Sequence, residues 1–136
     1  DLIIIDINLP GMDGYQALGQ VEAIGRLGWA MVYQLVWTAR LDEGVQVGRR
    51  TLAALGDTVS ADKARLLSGL AFAISVSGDY AAATAMFGQA RAVAEQAGNE
   101  RAIADVLHMQ TIHHFVYAEF VEGIRVGLRA AEAVKK

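Results

Sequence analysis

The sequence predicts a mainly α protein, about three helical hairpins stacked as a short solenoid behind an N-terminal β-strand and loop. Three observations predict it. One stretch of the chain repeats at a fixed spacing, apolar residues recur at helical period between short turn signals, and the opening residues break that pattern with a β-branched apolar run.

The opening run is Leu2, Ile3, Ile4, Ile5, followed by Asp6, a turn at Pro10 and Gly11, and a helix start at Asp13. It reads as strand, loop, helix. Beyond it, the pattern 41–54, LDEGVQVGRRTLAA, lies over 120–133, FVEGIRVGLRAAEA, at an offset of 79 residues, with Glu43/Glu122, Gly44/Gly123, Val47/Val126, Gly48/Gly127 and Arg50/Arg129 identical. Halfway between them, the segment from Asp79 to Arg91 opens in the same way, so the period is about 40 residues, long enough for two helices and two turns.

The first unit is expected to run from 23 to 39 and from 42 to 55, closing at Gly56 and Asp57. A single longer helix over 16–39 is also open to the chain, although Gly19, Gly25 and Gly28 each weaken it by up to about 1 kcal/mol relative to alanine. In the second unit, 64–76 is an apolar helix capped by Ser60 or Asp62, then Ser77, Gly78 and Asp79 turn the chain into a partner helix over 80–97. Gly98 and Asn99 end that helix. The third unit repeats the plan over 100–117 and 120–134.

Gly78, Asp79, Tyr80, Ala81, Ala82, Ala83, Phe87, Ala90 and Ala94, followed by Gly98 and Asn99, carry a resemblance to the tetratricopeptide superfamily, especially its longer-period form in bacterial signalling and transcriptional regulators. The small residues let two helices approach closely, and the aromatic residue opening the second helix wedges the hairpin. The resemblance covers about 23–134. The outer units depart from it, with Leu41 in place of the aromatic residue and Ala118 and Glu119 in place of Gly-Asp. It implies an array that binds protein or peptide partners along its leading helices.

Residues 1–18 are similar to something else, the third strand and following helix of bacterial response-regulator receiver domains. In that family the aspartate ending the strand accepts a phosphoryl group, which here is Asp6, with the loop from Asn8 to Gly14 beside it. Phosphoryl transfer to a carboxylate also needs a divalent cation held by further acidic residues, and positive charge against the developing charge. The family draws these from an acidic pair on its first strand, a hydroxyl on its fourth and a lysine on its fifth, which have no counterpart in this chain. Asp6 is therefore expected to be a non-functional phospho-acceptor position. The division expected is a receiver-like fragment over 1–18 and helical repeats over 19–136, a junction that suits recombination or design as well as a natural fragment. A start at Asp1 without methionine agrees with a fragment, a processed chain or an engineered one. Left single, the apolar strand has to pair, pack or aggregate; its exchange between two chains would give a homodimer.

Composition narrows the rest. Twelve basic residues against fifteen acidic, a formal net charge of −3 with no block of like charge, exclude the footprint of a nucleic-acid binder. The absence of cysteine excludes disulfides, thiolate metal sites and a thiol nucleophile, and suits the cytoplasm. Hydrophobic content is 54%, yet the longest apolar stretch, 27–39, contains Gln34 and falls short of the roughly 20 residues a bilayer span needs. No membrane association is expected.

His108, His113 and His114 are the only histidines, and their spacing does not suit a metal, since ligands on one helical face stand three or four positions apart, whereas His108 and His113 are five apart and His113 and His114 are adjacent. Helix packing or a groove role fits them better. Trp29, Tyr33 and Trp37 recur every four residues, a stripe that either packs in the core or grips a peptide. Tyr33, Trp37 and His113 are the candidate groove residues. Arg49, Arg50, Arg125 and Arg129 suit solvated faces and local ion pairs. No phosphate-cradling loop, nucleophile elbow or acid pair is evident, so no enzyme, metal or cofactor is expected. The leading expectation is a non-enzymatic scaffold for a protein or peptide partner. The alternatives are a receiver-derived signalling module acting through Asp6, or an engineered or recombined chimera with no natural function.

Overall fold

The computed structural model describes residues 14–135, with side chains from Gly19 onward. The expected strand, its loop, Asp6 and the helix start at Asp13 lie outside the described residues. Within them the protein is mainly α: α1 (Gly14–Trp37), α2 (Leu41–Leu55), α3 (Ala61–Val76), α4 (Tyr80–Gln96), α5 (Glu100–Val116) and α6 (Phe120–Ala133), with no strand. None of these helices is long and apolar enough to cross a membrane.

Local chemistry explains most of the boundaries. Ser60 Oγ accepts from Lys63 N at 3.1 Å, Asp79 from Ala82 N at 3.0 Å and Asn99 from Ala102 N at 2.8 Å, each satisfying an N–H that the first helical turn leaves free. Four of the five turns share one geometry, the one between α2 and α3 being the exception. Arg40, Asp79, Asn99 and Glu119 each donate their backbone N–H to the carbonyl five residues back, at 2.8, 3.3, 3.3 and 2.8 Å, and the residue before each has positive φ. That residue is glycine at 78 and 98, where the left-handed backbone is free of strain, but alanine at 39 and 118, where a Cβ crowds the following carbonyl.

α1 departs from the expected start at 23. It is one helix of 24 residues, close to the longer course over 16–39, and it runs through the boundary between 18 and 19. Its glycines reflect close approach: a Cβ on Gly28 would stand 2.8 Å from Thr51 Oγ1 of α2, and one on Gly25 3.0 Å from Asp62 Cβ of α3.

The helices form three antiparallel hairpins, α1/α2, α3/α4 and α5/α6, and each hairpin touches only its neighbour in sequence. α1 packs on α3 and α3 on α5, while α2 packs on α3 and α4 on α5; α1 does not reach α5. This is the quasi-one-dimensional contact pattern of stacked repeats. α3 lies at the centre, against α1, α2, α4 and α5, and is accordingly buried on every side from Leu66 to Ser75, with Leu66, Leu67, Leu70, Ala71, Phe72, Ala73 and Ile74 in the core. Phe87, Ala90 and Ala94 of α4 meet Ala102, Val106 and Met109 of α5 in the same core.

Candidate functional site

Because α3 separates α1 from α5, the leading helices leave a groove of about 380 Å³ between them. One wall is aromatic. Trp29, Tyr33 and Trp37 follow one another at four-residue spacing on α1, with ring centroids 5.7 and 5.9 Å apart, and Trp37 extends the row to Phe72 of α3 at 6.4 Å. Tyr33 is 40% exposed and Trp37 61%, a large aromatic area to leave in water. The floor holds Ser68 of α3 with Met109 and Ile112 of α5, and the far wall holds Arg65, Arg101, Asp105 and His108.

The charged wall belongs to a ladder that crosses all three leading helices. Arg26 Nε stands 3.7 Å from Asp62, whose other oxygen is 3.3 Å from Arg65 Nη1; Arg65 Nε donates to Asp105 at 2.8 Å, and Arg101 Nε stands 3.3 Å from the same carboxylate. Three guanidinium groups face two carboxylates, which leaves the ladder one positive charge in excess. Arg65 is held from both sides and presents its planar fork in a fixed place. In the floor, Ser68 is 1% exposed and its Oγ has no hydrogen-bond partner in the protein.

Of the residues expected in the groove, Tyr33 and Trp37 line it and His113 does not. His113 is fully buried on the opposite side of the leading row, where Nδ1 is 2.8 Å from Ser75 Oγ and Nε2 is 3.1 Å from Thr84 Oγ1. Thr84 Oγ1 already donates to the Tyr80 carbonyl, so it accepts from Nε2–H, and Nδ1 accepts from the Ser75 hydroxyl. Burial pushes the His113 pKa down, with His114 adding to it. Its helical position allowed either face; the packing of α3, α4 and α5 chose the core.

Around His113 lies a second polar cluster. His114 Nδ1 is 2.7 Å from Glu119, and the Tyr80 hydroxyl donates to the same carboxylate at 2.8 and 3.0 Å. His114 and Tyr80 together hold Glu119 below the usual carboxylate range. Ser75 and His113 have the spacing of a nucleophile and base, but Ser75 is 1% exposed and the carboxylate sits on His114, so no acid orients His113 and no substrate path reaches the hydroxyl. The cluster ties α3, α4 and α5 together, as does the Tyr117 hydroxyl on the Ser75 carbonyl at 2.7 Å.

No three metal-ligating side chains converge among the described residues. Arg125 forms a local pair with Glu122 at 2.8 Å. Reading the sequence by motif missed Arg65, Ser68 and Asp105. Arg65 and Asp105 were findable, because they stand 40 residues apart, one repeat period, and so occupy the same position of adjacent leading helices with opposite charge.

No family model, curated protein or solved structure matches this chain.

Proposed function

We propose that this chain is a non-enzymatic interaction scaffold of the helical-repeat type, tetratricopeptide-like and cytoplasmic, whose leading helices hold an extended peptide segment. What carries the reading is the Trp29–Tyr33–Trp37 row, with Tyr33 and Trp37 exposed, facing an arginine ladder in which Arg65 is held between two carboxylates. Aromatic faces supply apolar contact at low entropy cost, and Arg65, largely shielded from water and fixed by Asp62 and Asp105, orients an acidic group. The ligand class this selects is a segment with an aromatic or proline side chain next to an aspartate or glutamate, the ring lying on Trp37 and Tyr33 and the carboxylate meeting Arg101 and Arg65.

The two tryptophans of the chain both line the groove, so intrinsic fluorescence reports on it directly. Titrating short peptides of that class is expected to give a saturable change in emission. Trp37→Ala should weaken binding about tenfold or more, as loss of a hot-spot aromatic does, with helicity unchanged. Equal affinity in the variant, or no saturation with any such peptide, would sink the reading.

A further inference from the structure

Each leading helix nests between the two helices of the preceding hairpin: α3 on α1 and α2, α5 on α3 and α4. At the first joint the fit is close. A Cβ on Gly48 would stand 3.0 Å from Leu70 Cδ1, one on Gly69 would stand 3.2 Å from the Trp29 ring, and Val45 and Leu52 pack on Leu70 and Ile74. The socket is thus built from Gly25 and Trp29 of α1 with Val45, Gly48 and Leu52 of α2.

The third hairpin carries the same socket 79 residues on, where Ala104 and His108 stand for Gly25 and Trp29, and Ile124, Gly127 and Ala131 for Val45, Gly48 and Leu52. Among the described residues no helix fills it. An open space of about 490 Å³ lies between α5 and α6, lined by Ala104, His108, Gly127 and Ala131, and Ile124 is 57% exposed.

The other end of the stack carries the matching ridge. Leu66 and Leu70, which α3 buries fully, correspond 39 residues earlier to Leu27 and Met31 of α1, 56% and 47% exposed. Charge agrees with the shape. One position of the three leading helices is occupied by Arg26, Arg65 and Asp105, and Arg65 pairs with Asp105 across the second joint at 2.8 Å. Setting Asp105 of one copy against Arg26 of the next repeats that pair with the signs exchanged.

We propose that copies of this chain stack head to tail, α1 of one copy lying in the α5–α6 socket of its neighbour, so that the joint between molecules continues the joint between hairpins. The two surfaces differ, so the contact is heterologous and growth does not stop at two. The socket shares Arg101, Asp105 and His108 with the far wall of the groove, but the inference does not rest on peptide binding.

Light-scattering mass of the full chain over a range of concentration tests it. The mass is expected to rise past that of a dimer as concentration increases. Leu27→Glu on the ridge and Ala131→Glu in the socket, both at exposed positions, should each return the mass to a single chain with helicity intact. An equimolar mixture of the two should form a two-chain complex and nothing larger, because only one competent ridge and one competent socket remain. Met31→Glu and Ile124→Glu replace either variant if it loses helicity. A wild-type chain that stays single at every concentration overturns the proposal, as does an assembly that both substitutions leave unchanged, the result expected of pairing through the N-terminal strand.

Discussion

Replacing Gly28 by alanine is expected to destabilise this protein, although alanine is the better helix former by about 1 kcal/mol. A Cβ at Gly28 would stand 2.8 Å from Oγ1 and 2.9 Å from Cβ of Thr51, with Cγ2 nearer still. Thr51 cannot turn aside, because its side chain is β-branched and its Oγ1 donates to the Val47 carbonyl at 2.8 Å. Its Cβ moves only with the backbone of α2, so relief requires α1 and α2 to part. Overpacking of this kind costs about 1–3 kcal/mol; a contact to Cβ belongs in the upper part of that range, and subtracting the propensity gain leaves a net loss of about 1–2 kcal/mol. With a urea m-value of about 2 kcal/mol/M, the middle of the usual range, the midpoint followed by circular dichroism falls by about 0.5–1 M. Gly88 of α4 is the control: it is exposed, a Cβ there meets nothing within 4 Å, and Gly88→Ala should raise the midpoint instead. Adding Thr51→Ala to Gly28→Ala removes Oγ1 and Cγ2 and should recover part of the loss, a non-additive effect. A Gly28→Ala protein as stable as the wild type would refute the reasoning.

At Ala118, where φ is 59°, glycine should stabilise by about 0.5–1 kcal/mol, the relief of a left-handed alanine less the greater freedom of glycine in the unfolded chain, read as a higher urea midpoint. His113 sets a pH dependence: its folded pKa lies below the unfolded one, so the unfolded chain binds the extra proton, and stability is full above about pH 6.5 and falls as the pH drops through that value. The urea midpoint should be lower at about pH 5.5 than at about pH 7.5, and His113→Gln, which can still bond Ser75 and Thr84, should flatten that difference.

Much of the fold was legible because its signals are local. Ser60, Asp79 and Asn99 cap the helices that follow them, and Gly56, Gly78 and Gly98 take the positive φ that ends the helices before. The start of α1 was less legible. Gly19, Gly25 and Gly28 argue against a long helix on propensity alone, whereas α2 and α3 approach so closely that Gly25 and Gly28 are the residues that fit. Tertiary packing outweighs a propensity term of about 1 kcal/mol.

The candidate site divides along the same line. A four-residue spacing places Trp29, Tyr33 and Trp37 on one face of α1 whatever surrounds them, and a 40-residue period stacks hairpins because each must cover the apolar face of the last. The sequence by itself determined those periodicities, the caps and the turns, since each depends on residues a few positions apart. Only the tertiary structure decided which face of a helix met water. His113 went to the core because Ser75 and Thr84, 38 and 29 residues earlier, satisfy both of its nitrogens there, and Arg65 took its fixed place because Asp105 lies on the next helix. Those partners come from separate helices, and a helical sequence sets the direction of a side chain around its own axis but not what waits on that side.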